Sequence, residues 1–83
     1  MAELKSEGLW HAFAVALKSE RTAQNLSQEE LARRSGLSAR YISYLETERY
    51  QPKLETLGQV CIGLGLSLSE FAKKIEIFCE KQL

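Results

Sequence analysis

Residues 27–46 read SQEELARRSGLSARYISYLE, and the fold turns on this stretch. Ser27 precedes Glu30 by three, the spacing at which a hydroxyl caps a first-turn N–H and the carboxylate reaches back. A helix opening there has Leu31 and Ala32 as its apolar residues, leaving Glu29, Arg33 and Arg34 to solvent. Gly36 then stands where a helix ends in a left-handed residue, a conformation open to glycine because it has no Cβ. Leu37 plugs the corner that follows. Ser38 caps a second helix, in which Tyr41, Ile42 and Leu45 fall at helical spacing while Ala39, Arg40, Ser43 and Tyr44 face away. A turn this short makes the two helices cross steeply.

The flanks support an all-helical domain. Leu9, Trp10, Phe13, Ala14, Leu17 and Arg21 give residues 9–24 an amphipathic helical pattern, strengthened by alanines at 12, 14 and 16. Trp10 is read as core, with a dimer contact as the alternative, and His11 as a surface residue. Pro52 sets the entry to a fourth helix whose buried stripe is expected at Leu54, Leu57, Cys61 and Leu64, with Gly65 as its stop and Gly58 and Gly63 inside. Ser67 and Glu70 repeat the capping box and open a last helix over residues 68–81. Residues 1–8 form a polar lead-in, 9–71 the domain, and 72–83 an extension of its last helix.

Eighty-three residues suffice for one small core, and 45% hydrophobic with 27% charged residues is ordinary for a soluble globular protein. No apolar run approaches the ~20 residues that cross a bilayer, and the N-terminus shows no signal-peptide pattern, so a cytoplasmic location is expected. Eleven Lys and Arg balance eleven Glu, with no Asp. Cys61 and Cys79 have neither C-x-x-C nor Cys/His spacing and are read as reduced packing residues. With a single His and no paired thiols, neither a nucleophile–base pair nor a metal set assembles, so no enzyme, metal or cofactor is expected.

The two-helix unit is a helix-turn-helix, and the chain around it resembles the phage repressor and Cro-like (xenobiotic-response-element) family. The resemblance runs from about Phe13 to Phe71 and includes PKLETL at 52–57 and LGLSLSEF at 64–71. It implies a compact five-helix bundle of the lambda-repressor type, here with an extended C-terminal helix. It also implies a DNA reader whose second motif helix, residues 38–47, enters the major groove. The family's base-contacting positions fall at Ala39, Arg40, Ser43 and Tyr44. Arg40 is the best reader, because a guanidinium bonds two acceptors on a guanine edge. The phosphate-contacting positions fall at Gln28, Ser38, Thr47, Arg49 and Lys53. Arg21 corresponds to the family arginine that pairs with a glutamate at the end of the recognition helix, here Glu46. The chain departs from the family at Glu20, usually leucine, at Asn25, usually glycine, and at Glu48, also usually glycine. Glu48 implies backbone strain or a longer helix, and a negative charge near the phosphates.

A neutral chain binds non-specific DNA weakly, so two copies acting together are expected. Ile75, Ile77, Phe78 and Leu83 give the last helix more apolar surface than a small core needs and are read as a homodimerisation surface. The leading function is a transcriptional regulator binding double-stranded DNA as a homodimer on an inverted repeat, like the family's phage repressors and restriction–modification controllers. The alternative is an antitoxin or other protein-interaction module that occupies a toxin, with DNA binding secondary.

Overall fold

The computed structural model describes residues 6–80, which form five helices and no strand among the described residues. They are α1 (Ser6–Ala23), α2 (Gln28–Ser35), α3 (Ala39–Glu46), α4 (Leu54–Leu64) and α5 (Leu68–Glu80). The five-helix expectation is met, although α1 begins three residues before position 9.

Local chemistry sets the boundaries. Asn25, with φ of 58°, takes the left-handed turn after α1, and the Leu26 N–H returns to the Arg21 carbonyl at 3.0 Å. Ser27 Oγ accepts from Glu30 N at 3.0 Å, and Ser38 Oγ accepts from Tyr41 N at 3.0 Å. Gly36, with φ of 74°, closes α2 between these caps. The capping box at Ser27 forms only half way. Glu30 turns its carboxylate onto Arg33 and Arg34 one turn along its own helix instead of back to the cap. At α5 the box is complete, with Glu70 N donating to Ser67 Oγ at 3.1 Å and Ser67 N donating to the Glu70 carboxylate at 2.7 Å. That backbone N–H, followed by the Ser67 hydroxyl, holds the Glu70 carboxyl below its ordinary pKa.

The core joins all five helices through fully buried Leu17, Leu31, Ile42, Leu45, Val60 and Phe71, with Phe13 set edge-on to Phe71 at 5.9 Å between ring centres. Both cysteines are free and buried, and burial raises the Cys61 thiol pKa. α2 and α4 approach so closely that Gly63 packs against Leu31 and Ser35.

The expected buried stripe of α4 holds at Cys61 and Leu64, with Leu57 partly buried against the core, and fails at Leu54. Leu54 is 74% exposed, and the inward face is Thr56, Val60, Cys61, Gly63 and Leu64. Close packing on α2 requires Gly63 to face inward, which turns Leu54 outward. Leu68, at the start of α5, is 47% exposed, since Phe71 and Ile75 take the inward face of that helix. The departure at Glu20 has a partner: its carboxylate lies 3.4 Å from Lys74 Nζ, so an ion pair to α5 stands where the family has leucine packing.

Candidate nucleic-acid interface

Helix α3 is anchored from behind. Ile42 and Leu45 of α3 are fully buried, whereas Arg40 is exposed and Ser43 and Tyr44 are half-buried at the surface. Ala39 departs from its expected orientation. It is partly buried against the core, because the first turn of α3 packs where α2 ends.

Glu46 closes α3 and is held from two other helices. Arg21 Nε and Nη2 donate to its two carboxylate oxygens at 2.6 and 3.0 Å, and Arg21 Nη1 donates to the Leu26 carbonyl at 2.7 Å. The bond to Glu46 is the main reason the Arg21 pKa is raised. Gln28 Nε2 also donates to Glu46, at 3.1 Å, so in this state its amide is spent inside the motif. Thr47 donates its hydroxyl to the Ser43 carbonyl at 2.8 Å, Ser38 is occupied as the cap, and Lys53 is exposed at the entry to α4.

The exit from α3 carries features the linear pattern does not announce. Glu48 adopts φ of 62°, the left-handed stop the family makes with glycine, and its carboxylate lies 2.7 Å from His11 Nδ1. The negative charges at this end of the helix are thus each matched by a side chain of α1. Tyr50 stacks edge-on against Tyr44 at 5.2 Å and lies 6.0 Å from the Tyr41 ring. The Arg49 guanidinium covers the Tyr44 ring at 5.2 Å, and Trp10 Nε1 donates to the Tyr50 carbonyl at 3.4 Å. Tyr50 and the tethers from Trp10 and His11 had no signal in the sequence pattern. They meet across some forty positions of chain.

Of the expected dimerisation residues, Ile75 is 8% exposed and belongs to the protein's own core, while Ile77 is 51% exposed. Phe78 is partly buried against the core, and Leu83 lies outside the described residues. Among the described residues no group of three His, Cys, Asp or Glu side chains could hold a metal, and no helix is long and apolar enough to cross a membrane.

A capped helix anchored on one face and open on the other, behind a glycine turn and a capped partner helix, defines a helix-turn-helix reading head. The family model described as Helix-turn-helix (HTH_3) matches residues 17–71, and the chain belongs to this Cro/C1-type family of transcriptional regulators. It is 33% identical over 66 residues to the immunity repressor protein of Bacillus phage phi105, covering 80% of this chain and 46% of that protein. The clp gene regulator ClgR from Corynebacterium glutamicum superposes with a TM-score of 0.81 at 32% identity, covering 89% of this chain and 79% of that one. The restriction–modification controller protein C.Esp1396I superposes with a TM-score of 0.84 at 26% identity, covering 88% and 95%. The chain spans about half the length of the phage relatives it matches.

Proposed function

We propose that the chain binds double-stranded DNA with α3 in the major groove and regulates transcription as a homodimer on an inverted repeat. The observation that carries this reading is the division of α3, whose Ile42 and Leu45 are fully buried while Arg40 on the opposite face is exposed beside Ser43 and Tyr44. Arg40 reads a guanine edge, Tyr44 and Ser43 lie along the same groove, and Arg49, Thr47 and Lys53 sit beyond the helix end where the backbone passes. Gln28 reaches a phosphate by releasing Glu46. Two copies place their α3 helices about 34 Å apart, one turn of DNA, and join two weak half-sites into one tight site.

The test is selection of bound sequences from random DNA, followed by gel-shift titration with Arg40→Ala. Loss of one bidentate base contact costs about 1–3 kcal/mol of discrimination against scrambled DNA. Equal discrimination by both proteins removes Arg40 as a reader, and failure to select any sequence removes the DNA reading.

The protein-interaction reading draws on exposed apolar side chains such as Ile62, 73% exposed. Co-purification of an equimolar small partner with no selected DNA would favour it.

A further inference from the structure

A groove of about 500 Å³ lies between α1, the segment after α3, α4 and α5. Trp10 and Phe13 form one side, Pro52 and Leu57 a second, and Ala72 and Ile75 a third. Beside these concave walls stand convex apolar residues on the same two helices. Leu54, 74% exposed, precedes the wall residue Leu57 by three positions. Leu68, 47% exposed, precedes the wall residue Ala72 by one turn.

The charges at the rim have opposite signs. Glu76 lines the groove, Lys53 and Glu55 adjoin Pro52 and Leu54 in the chain and Lys73 adjoins Ala72, and none of the four makes an ion pair among the described residues. Residues 56–69, TLGQVCIGLGLSLS, contain no acidic or basic side chain, so the exposed face of α4 from Thr56 on brings no like charges together. A surface that meets itself about a two-fold axis must carry both knob and hole, and its charges must pair unlike with unlike. This face has both.

We propose that the groove is filled by a second copy of this chain, docked about a two-fold axis, with Leu54 and Leu68 of one copy entering the groove of the other. The proposal rests on the dimer reading above and gives it a seat. Ile75 is the floor of that seat. Ile77 and Phe78 turn to another flank of α5, beside Ala16 and Glu20, and stay outside it.

Trp10 is the sole tryptophan and lines the groove, so its emission reports the groove directly. The experiment is sedimentation of the full chain across the micromolar range, with tryptophan emission read on the same samples. Ala72→Glu obstructs an exposed wall without touching the core, and Ile77→Glu tests the other flank. Wild type and Ile77→Glu are expected to dimerise with a blue shift of emission. Ala72→Glu is expected to associate about tenfold more weakly or not at all. Leu54→Lys, at a site three-quarters exposed, repeats the test should Ala72→Glu lose its helical circular dichroism. A wild-type monomer at every concentration overturns the proposal, as does a folded Ala72→Glu that associates like wild type. So does dimerisation lost in Ile77→Glu and kept in Ala72→Glu. Gel-shift on selected DNA is scored separately: a chain that dimerises through the groove but selects no DNA refutes the proposed function and leaves this interface standing.

Discussion

The Nδ1 atom of His11 lies 2.7 Å from a carboxylate oxygen of Glu48, tying α1 to the left-handed turn that follows α3. A non-glycine residue in that conformation costs about 1–2 kcal/mol. The contact that holds it is a pair of side chains 49% and 36% exposed, and such a pair contributes less than about 1 kcal/mol. Strain and tether are therefore comparable, and their balance is measurable. Glu48→Gly in a His11→Ala background should raise stability by about 1 kcal/mol, and in the wild-type background by less, because the tether is lost there too. Urea denaturation of the four proteins checks this. Loss of stability on Glu48→Gly in both backgrounds would show that the turn is not strained.

Two glycines inside α4 should respond in opposite directions. A Cβ at Gly63 would stand 2.8 Å from Leu31 Cδ1 and 2.9 Å from Ser35 Cβ, whereas a Cβ at Gly58 meets nothing within 4 Å. Gly63→Ala should destabilise by about 1–3 kcal/mol through overpacking against α2. Gly58→Ala should stabilise by about 0.5–1 kcal/mol through helix propensity and a less flexible unfolded chain. For a chain of this size 1 kcal/mol moves the melting temperature by about 4–8 °C, so two thermal melts decide the matter.

The same pair of glycines shows where sequence reading worked and where it stopped. Caps and stops are local, so Ser27, Ser38, Gly36, Gly65 and the Ser67–Glu70 box could be placed from neighbours within four residues. Helix phase is a tertiary choice. The stripe of Leu54, Leu57, Cys61 and Leu64 shares Cys61 and Leu64 with the buried face, and the fit of Gly63 against Leu31 and Ser35 brings in Thr56 and Val60 and turns Leu54 out. The exposure of Arg40 was legible from helical spacing, whereas the partial burial of Ala39 was not, because it depends on the crossing of α2 and α3. The aromatic cluster at Tyr44, Arg49 and Tyr50, and its tethers from Trp10 and His11, involve long-range contacts that no short pattern encodes.

Acid should act on the last helix through Glu70. Its folded pKa lies below the ordinary carboxylate value, because the Ser67 backbone N–H and hydroxyl favour the charged form. A group lowered in this way contributes stability that is fully present above its unfolded pKa and is lost as pH falls through the folded value. The contribution should therefore fade below about pH 4. Glu70→Gln should lower stability at neutral pH and flatten the loss between neutral and strongly acid pH, as read by circular dichroism across a pH series. An unchanged acid limb would assign the pH dependence to other carboxylates.

Arg21 and Glu46 are 10% and 3% exposed at their side chains, and they join α1 to the end of α3 through two parallel hydrogen bonds. Removing one member of a buried pair leaves the other uncompensated, at about 3–5 kcal/mol, a large share of the 5–15 kcal/mol typical of a small domain. Arg21→Ala and Glu46→Ala should each unfold at markedly lower urea. The double variant should lose less than the sum of the two, since it strands no charge. Arg21→Lys should rescue poorly, because an ammonium cannot keep both bonds to Glu46 and the third to the Leu26 carbonyl in one plane. Gln28 supplies a finer test of what the pair does for binding. It shares Glu46 Oε1 with Arg21 Nη2, so Gln28→Ala should leave the ion pair standing and change stability by less than about 1.5 kcal/mol. If Gln28 also grips a phosphate, the same variant should weaken binding to all DNA sequences alike and reduce the salt dependence by about one counterion. A stability loss as large as that of Glu46→Ala would instead make Gln28 part of the structural lock.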